Sequence, residues 1–226
     1  RGLGDVYKRQ TLCIEELSND KGKPNFGGTC LNVGCIPSKS LLDSSHRYYE
    51  AKKNLSDHGI QLGDVKLDLK TMMERKDNIV SKLTGGIDGL FLTNKVESIC
   101  GKGKVISKNT VQIDKADGSS EKVDAKNIII ATGSSPIEIP AASFGKHIVD
   151  STGALAFDSV PKRLGVVGAG IIGLELGSVW SRLGSEVTVL EALEDFLPMT
   201  DTDISKESFK EFKKQGLDIQ LGSKVT

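Results

Sequence analysis

Short apolar runs and amphipathic segments alternate in the second half of the chain. Residues 163–167 predict a strand, which a glycine-rich turn, an apolar helix to about Leu183 and a second strand over 186–190 follow. A further amphipathic helix is predicted over 205–215. Strands that alternate with helices in this way favour βαβ units and a parallel sheet.

The first half of the chain mixes helical and strand-like patterns. Helical spacing covers 39–53 and 67–94, although Gly85 and Gly86 weaken the middle of the second helix. A small helix is predicted near 151–156, inside a connector. Short β-prone runs occupy residues 11–14, 96–99, 104–106, 110–113 and 125–130.

Two details refine these strands. Asp117-Gly118 predicts a hairpin turn. The run 127–130 is apolar throughout its last three positions, which predicts a strand buried on both faces.

These elements predict an α/β fold with two Rossmann-like dinucleotide-binding domains, three-layered, with parallel sheets and a small antiparallel β insertion. We expect the domains over 11–150 and 151–226, both incomplete. The first strand and glycine loop of the first domain are expected to be missing, and the chain is expected to stop inside the second. Residues 1–10 resemble translated adapter sequence, so we treat them as a non-native leader.

Composition narrows the function classes. Thirty Lys and Arg balance thirty Asp and Glu in 226 residues, so no general attraction to nucleic acid or to an anionic membrane is expected. Apolar runs stay far below the roughly 20 residues that span a bilayer. Four cysteines with one plausible pair do not make a secreted disulfide framework, which favours a reducing compartment.

Cys30 and Cys35 lie in the glycine-flanked segment GGTCLNVGCIPSK, residues 27–39. In an ideal α-helix their Cα atoms would be about 8.6 Å apart, beyond the roughly 7 Å that a disulfide tolerates. A bridge therefore needs a distorted turn, which Gly34 permits, and a strained disulfide is easily reduced. We predict a cycling redox pair; half of a zinc site and buried unreactive thiols are the alternatives, and no metal site is expected.

Gly168, Gly170 and Gly173 form a G-x-G-x-x-G turn between a predicted strand and a predicted helix. Glu191 ends the next strand, as in dinucleotide-binding units. The turn suits a pyrophosphate, and a carboxylate at Glu191 would accept from ribose hydroxyls but repel a 2′-phosphate. NAD is therefore predicted over NADP; the alternative is a turn without a ligand.

Glu175 is the only charged residue between Gly168 and Arg182. A lone acid on an otherwise apolar helix indicates a specific partner, and the alternative is an exposed glutamate. Trp180, on the same helix, is predicted to pack in the core.

GGTCLNVGCIPSK resembles the redox-active segment of the FAD-dependent pyridine nucleotide-disulfide oxidoreductases, and LNVGCIPSK is most similar to that of the dihydrolipoyl dehydrogenases. The resemblance runs from about Thr11 to Thr226. It implies oxidation of dihydrolipoamide by NAD through FAD, with Cys30 as the thiol that exchanges with the lipoyl sulfur. Cys35 would face the flavin, and Lys39 would pair with Glu175 there.

The resemblance also implies further cofactor contacts. Glu15, Gly103 and the turn Thr132, Gly133 and Ser134 would contact FAD, and Val225 would lie beside the NAD adenine. The implied partners are the lipoyl domain of a 2-oxoacid dehydrogenase complex and a second copy in a homodimer, in the bacterial cytoplasm or the mitochondrial matrix.

Two alternatives to this function stay open: a mercuric or glutathione-type reductase of the same family, and a non-catalytic dinucleotide-binding fragment. His46, His58 and His147 have no obvious orienting acid, so the catalytic base is expected outside this chain. We therefore expect no turnover by the 226-residue chain alone.

Overall fold

The computed structural model describes residues 10–19 and 22–226, so the predicted leader, except Gln10, lies outside the described residues. The strands in the described part are β1 (Leu12–Glu15), β2 (Glu97–Cys100), β3 (Lys102–Val105), β4 (Thr110–Asp114), β5 (Ser120–Asp124), β6 (Arg163–Val167), β7 (Glu186–Leu190) and β8 (Leu217–Gln220). The helices there are α1 (Gly28–Val33), α2 (Cys35–Lys53), α3 (Leu69–Asn94), α4 (Ser151–Ala154), α5 (Ile171–Leu183) and α6 (Thr202–Lys214), with a 3-10 turn at Leu55–His58.

The chain forms two compact units. Unit 1 comprises residues up to Asn32 together with Val80–Ser134, and unit 2 comprises Val33–Ile79 together with Ser135–Thr226. The predicted functional domains 11–150 and 151–226 stay a prediction.

Unit 2 contains a parallel sheet in the order β6-β7-β8. Val166 pairs with Val189, which in turn pairs with Ile219, so β-branched residues meet across all three strands. Apolar residues alternate with exposed ones along β8 and fit a strand with one covered face. Helix α5 connects β6 to β7 and ends at Gly184, whose φ of 115° is a left-handed cap that glycine adopts without strain.

Trp180 belongs to one of two apolar clusters in the described part of unit 2, and none of its surface is exposed. Its ring centroid is 5.1 Å from that of Phe157, and its indole N–H donates to the carbonyl of Ala154 at 3.1 Å. The packing role predicted for Trp180 is therefore confirmed. The cluster joins α2, α3, α4 and α5 through the buried residues Leu41, Met72, Leu155, Leu176, Val179, Trp180 and Leu183.

Unit 1 contains a two-stranded parallel sheet, β1-β2, and an antiparallel sheet in the order β3-β4-β5. The β4–β5 hairpin turns where Asp117-Gly118 predicted it, with Gly118 at φ 83° and the Asp117 carboxylate accepting from the Ser119 N–H at 2.9 Å. Ile113 of β4 is fully buried. The α/β class with parallel sheets and a small antiparallel insertion is confirmed.

The predicted strand over 125–130 is wrong. The chain there has no regular structure, and Ile129 and Ile130 are 90% and 74% exposed. A strand must pair its backbone groups with a neighbour, and in the described part of the chain no strand pairs with these residues. The second strand of the hairpin is instead β5. Its polar composition gives no hydrophobic pattern that would predict a strand.

Two predicted helices differ from the observed ones in detail. Helix α3 continues through Gly85 and Gly86, although each glycine costs about 1 kcal/mol relative to alanine. Beyond both glycines, the ring of Phe91 packs on that of Phe26, with 4.5 Å between the centroids. Helix α2 begins at Cys35 instead of Lys39. Pro37 is compatible with that start, because the first turn of a helix does not use its N–H groups.

Within the described residues, no helix combines the length and the apolar content needed to cross a bilayer.

Candidate functional site

The cysteine segment is interrupted between its two thiols. Helix α1 ends at Val33, Gly34 has φ −135° and ψ −114°, and helix α2 starts at Cys35. The backbone therefore leaves the helical path where the sequence predicted a distorted turn. Cys30 and Cys35 are both exposed, as access by a thiol substrate requires.

Lys39 and Glu175 lie together although 136 residues separate them in sequence. The Lys39 ammonium is 2.5 Å from Glu175 Oε1, with the two side chains 59% and 23% exposed. Helix α2 packs on α5 in unit 2 through Leu41 and the α5 core residues, and this packing places the first turns of the two helices side by side.

Ser38 is a second donor to the same carboxylate. Its hydroxyl lies 3.1 Å from Glu175 Oε2, and the residue is 7% exposed. The sequence pattern missed Ser38, because its partner is 137 residues away and no local signal marks it.

The glycine turn after β6 has the form of a phosphate-binding loop. Gly168 has φ 98°, and neither it nor Gly170 has an atom within 4 Å of the position a Cβ would take. Gly170 is the N-cap of α5 and offers no side chain to the free N–H groups of the first turn. At Gly173 a Cβ would lie 2.5 Å from the Gly168 carbonyl oxygen, so only glycine lets the helix approach the strand.

These features fit a pyrophosphate, because open backbone at a helix N-terminus attracts anions. Glu191 lies at the same turn: its Oε2 accepts from the Ala169 N–H at 2.8 Å and its Oε1 from the Leu193 N–H at 3.0 Å. A carboxylate has about four lone-pair sites, so Glu191 keeps acceptor capacity for ribose hydroxyls.

Unit 1 brings the segment 132–134 to Thr29, the residue before Cys30. The Ser134 hydroxyl is 3.3 Å from Thr29 Oγ1, and Gly133 has φ 76° with its Cβ position 3.4 Å from the same oxygen. Thr29 was not singled out in the sequence. This contact joins two segments that the resemblance assigns to FAD.

Glu15 and Gly103 lie in the sheets of unit 1. Glu15 ends β1, and its Oε1 accepts from the Leu17 N–H at 2.9 Å. Gly103, on β3, would place a Cβ 3.4 Å from Ile14 Cγ2. An acid at the carboxyl end of a parallel strand is where a ribose is bound in Rossmann units.

Cys13, Val225 and the three histidines differ in burial and in their charged neighbours. Burial, and secondly the charge of Glu15, raise the pKa of the Cys13 thiol. Val225 is half-buried, after β8. His46, His58 and His147 are all exposed. Among the residues that the structure describes, no three His, Cys, Asp or Glu side chains are grouped so as to hold a metal ion.

Comparison with known proteins identifies the family. The model of the pyridine nucleotide-disulphide oxidoreductases matches residues 3–226. The chain is 52% identical to dihydrolipoyl dehydrogenase of Cupriavidus necator over 91% of its own length and 43% of the relative's. It is 51% identical to leghemoglobin reductase of Vigna unguiculata over 96% of its length and 40% of the relative's.

Solved structures show the same fold. The chain superposes on LpdA of Mycobacterium tuberculosis with a TM-score of 0.81 at 25% identity, over 97% of this chain and 47% of that one. A HOCl-induced flavoprotein disulfide reductase of Escherichia coli gives a TM-score of 0.76 at 28% identity, over 96% of this chain and 44% of that one. The chain thus spans less than half the length of these proteins, and it belongs to the pyridine nucleotide-disulphide oxidoreductase family.

Proposed function

We propose that the protein is an FAD-dependent disulfide oxidoreductase that oxidises dihydrolipoamide and reduces NAD. The observation that carries the proposal is the Lys39–Glu175 ion pair, one turn after Cys35 and one turn into the helix that follows the glycine loop. This pair links the redox segment to the nucleotide loop within unit 2. The dihydrolipoyl dehydrogenase of Cupriavidus necator, at 52% identity, supports the choice of substrate.

The thiol–disulfide exchange uses the two cysteines, the substrate dithiol and bases that accept the two substrate protons. With Cys30 and Cys35 joined as a disulfide, one dihydrolipoyl thiolate attacks the Cys30 sulfur and displaces the Cys35 thiolate. The second lipoyl thiolate then attacks the lipoyl sulfur of this mixed disulfide and releases the Cys30 thiolate and lipoamide. Two electrons pass from the substrate to the cysteine pair, and the two substrate protons go to bases.

Bound FAD would supply a two-electron acceptor for the reduced pair. The residues proposed to hold it are Glu15 at the ribose, Gly103, the turn Thr132–Gly133–Ser134, and Lys39. Cys35 is proposed as the flavin-facing thiol, and Glu175 is proposed to orient the Lys39 ammonium.

NAD is proposed at the second nucleotide site. Gly168, Gly170 and Gly173 would admit the pyrophosphate, and Val225 would lie by the adenine. Glu191 favours NAD over NADP, since a carboxylate held by two backbone N–H groups repels a 2′-phosphate.

The proposed partners are the lipoyl domain of a 2-oxoacid dehydrogenase complex and a second copy of the protein in a homodimer. The proposed location is the bacterial cytoplasm, with the mitochondrial matrix as the alternative. Relatives support these two locations. A bacterial dihydrolipoyl dehydrogenase is 52% identical to the chain, and a mitochondrial one from Pisum sativum is 48% identical.

A chimera tests the function directly. The matched segment of this chain replaces its counterpart in the Cupriavidus necator enzyme, and NADH formation from dihydrolipoamide is followed by the absorbance of NADH. We expect turnover, its loss in Cys35→Ser, and its retention in the control Cys13→Ser. A chimera that binds FAD but forms no NADH would contradict the proposed reaction and favour a non-catalytic nucleotide-binding role.

A further inference from the structure

Ser38 is a buried hydroxyl between two functional groups of unit 2. Its Oγ lies 3.2 Å from the Cys35 carbonyl oxygen and 3.1 Å from Glu175 Oε2. Both neighbours belong to the proposed redox machinery, whereas Ser38 itself has no reactive chemistry at this position.

A serine hydroxyl has a single proton, so it donates to one of these oxygens at a time. The Cys35 carbonyl is in the first turn of α2, where the backbone N–H four residues later supplies a donor. A hydrogen bond to a carboxylate is about twice as strong as one between neutral groups. The Ser38 hydroxyl therefore donates its proton to Glu175 Oε2.

Glu175 is thus held at both oxygens by consecutive residues of α2. Ser38 fixes Oε2, and this orientation presents Oε1 to the Lys39 ammonium. Lys39 alone cannot fix the carboxylate firmly, because its side chain is 59% exposed and exposed ion pairs are weak.

We propose that Ser38 is a positioning residue that orients the Glu175 carboxylate toward Lys39. Its relevance to catalysis rests on the proposed function, which places Lys39 and Glu175 at the flavin. The contact itself is a property of this chain and is testable without cofactor.

Ser45 provides a matched control. It lies on the same helix, is fully buried, and its hydroxyl donates to the Leu42 carbonyl at 3.1 Å, three residues earlier. Ser45→Ala therefore removes a buried hydroxyl with the same kind of intrahelical bond, about two turns beyond Ser38 on α2, where the bond is to the Leu42 carbonyl and not to the Glu175 carboxylate.

The test measures acetylation of individual lysines in the 226-residue chain by limiting acetic anhydride, resolved by mass spectrometry. An amine that is held in an ion pair reacts more slowly than one that is not. We expect Ser38→Ala to raise the rate at Lys39 about threefold, the size of a modest coupling between neighbours. Ser38→Thr, which keeps a hydroxyl, should restore the slow rate, and Ser45→Ala should leave it unchanged.

A double-mutant cycle completes the test. Glu175→Gln should raise the Lys39 rate, and Ser38→Ala should add nothing in that background. A further rise there, or equal effects of Ser38→Ala and Ser45→Ala, would overturn the proposal.

The buried Lys76 reports on folding, since its side chain is 9% exposed and its ammonium donates to the Leu155 carbonyl at 2.9 Å. A parallel rise at Lys76 in Ser38→Ala would mean that the hydroxyl supports the fold rather than the carboxylate, which also overturns the proposal. None of these outcomes depends on NADH formation, so failure of the proposed reaction would be seen separately in the chimera.

Discussion

Two apolar β-prone runs, each followed by a glycine-containing segment, adopt different structures in this protein. Residues 163–167 form β6, lead into the turn at Gly168 and pair along their whole length with β7. Residues 127–130 lead into an irregular segment that contains Gly133 but form no strand, and their last two isoleucines are largely exposed.

The partner strand explains the difference. In unit 2 the sequence from β6 to β7 is continuous, so the neighbouring strand and the covering helix α5 come from the next 23 residues of the same unit. In unit 1 no described strand lies beside residues 127–130. An apolar run predicts a strand only where the fold also provides its hydrogen-bond partner.

The largest expected effect is on the free energy of unfolding. It compares a substitution on α5, the helix that packs on the paired strands, with one in the unpaired run 127–130. Trp180→Ala removes a fully buried ring from α5 and should lower the free energy of unfolding by about 3–5 kcal/mol. Ile129→Ala, at a side chain 90% exposed, should change it by less than about 0.5 kcal/mol. Urea denaturation followed by circular dichroism measures both, and equal losses would show that residues 127–130 are packed after all.

In the turn after β6, substitution of glycine by alanine should lower the stability of the protein much more at one position than at another. In Gly173→Ala the new Cβ would meet the Gly168 carbonyl oxygen at 2.5 Å, and overpacking of this kind costs about 1–3 kcal/mol. Gly170→Ala has no atom within 4 Å of its Cβ position and a φ of −72°, so it should cost only the roughly 0.5 kcal/mol by which alanine is a poorer N-cap than glycine. Urea midpoints in the reverse order would contradict the close approach of α5 to β6.

Glu191→Arg should reverse nucleotide preference at this turn. The change replaces the acid that accepts from the Ala169 N–H with a cation that attracts a 2′-phosphate. We expect the ratio of NADH to NADPH affinity to fall at least tenfold, or about 1.4 kcal/mol. Fluorescence titration with NADH and with NADPH measures the ratio, and Glu194→Arg, at an exposed residue, is the control. An unchanged ratio in Glu191→Arg would contradict a role for Glu191 in nucleotide binding.

Local pattern predicted most of unit 2, because each element of the β6–α5–β7 unit lies next to its partner in sequence. The Lys39–Glu175 pair was accessible only through the resemblance, since the spacing of 136 residues carries no periodic signal. Neither the sequence pattern nor the resemblance predicted the roles of Ser38 and Thr29, because small hydroxyl side chains serve equally as caps, turn residues or buried donors. Strand β5 was not predicted, because its residues alternate between half-buried and exposed positions without an apolar face.

The smallest expected effect concerns a cysteine outside the redox segment. Cys13 lies on β1, and burial and, to a lesser degree, the charge of Glu15 raise the pKa of its thiol. Because only the thiolate is alkylated, Cys13 should react with iodoacetamide at pH 8 more slowly than the exposed Cys30 and Cys35.

Glu15→Gln removes the negative charge two residues away, on the same face of the strand. The pKa of Cys13 should then fall, so that more thiolate is present at pH 8 and alkylation accelerates, by about twofold because burial, the larger cause, remains. The gain should vanish at a pH well above the pKa, where the thiol is ionised in both proteins. Glu16→Gln, at the adjacent acid that pairs with Lys102, is the control and should leave the rate nearly unchanged. A pH-independent acceleration in Glu15→Gln would mean that the strand has opened, and would show β1 to be as weakly held as the unpaired run 127–130.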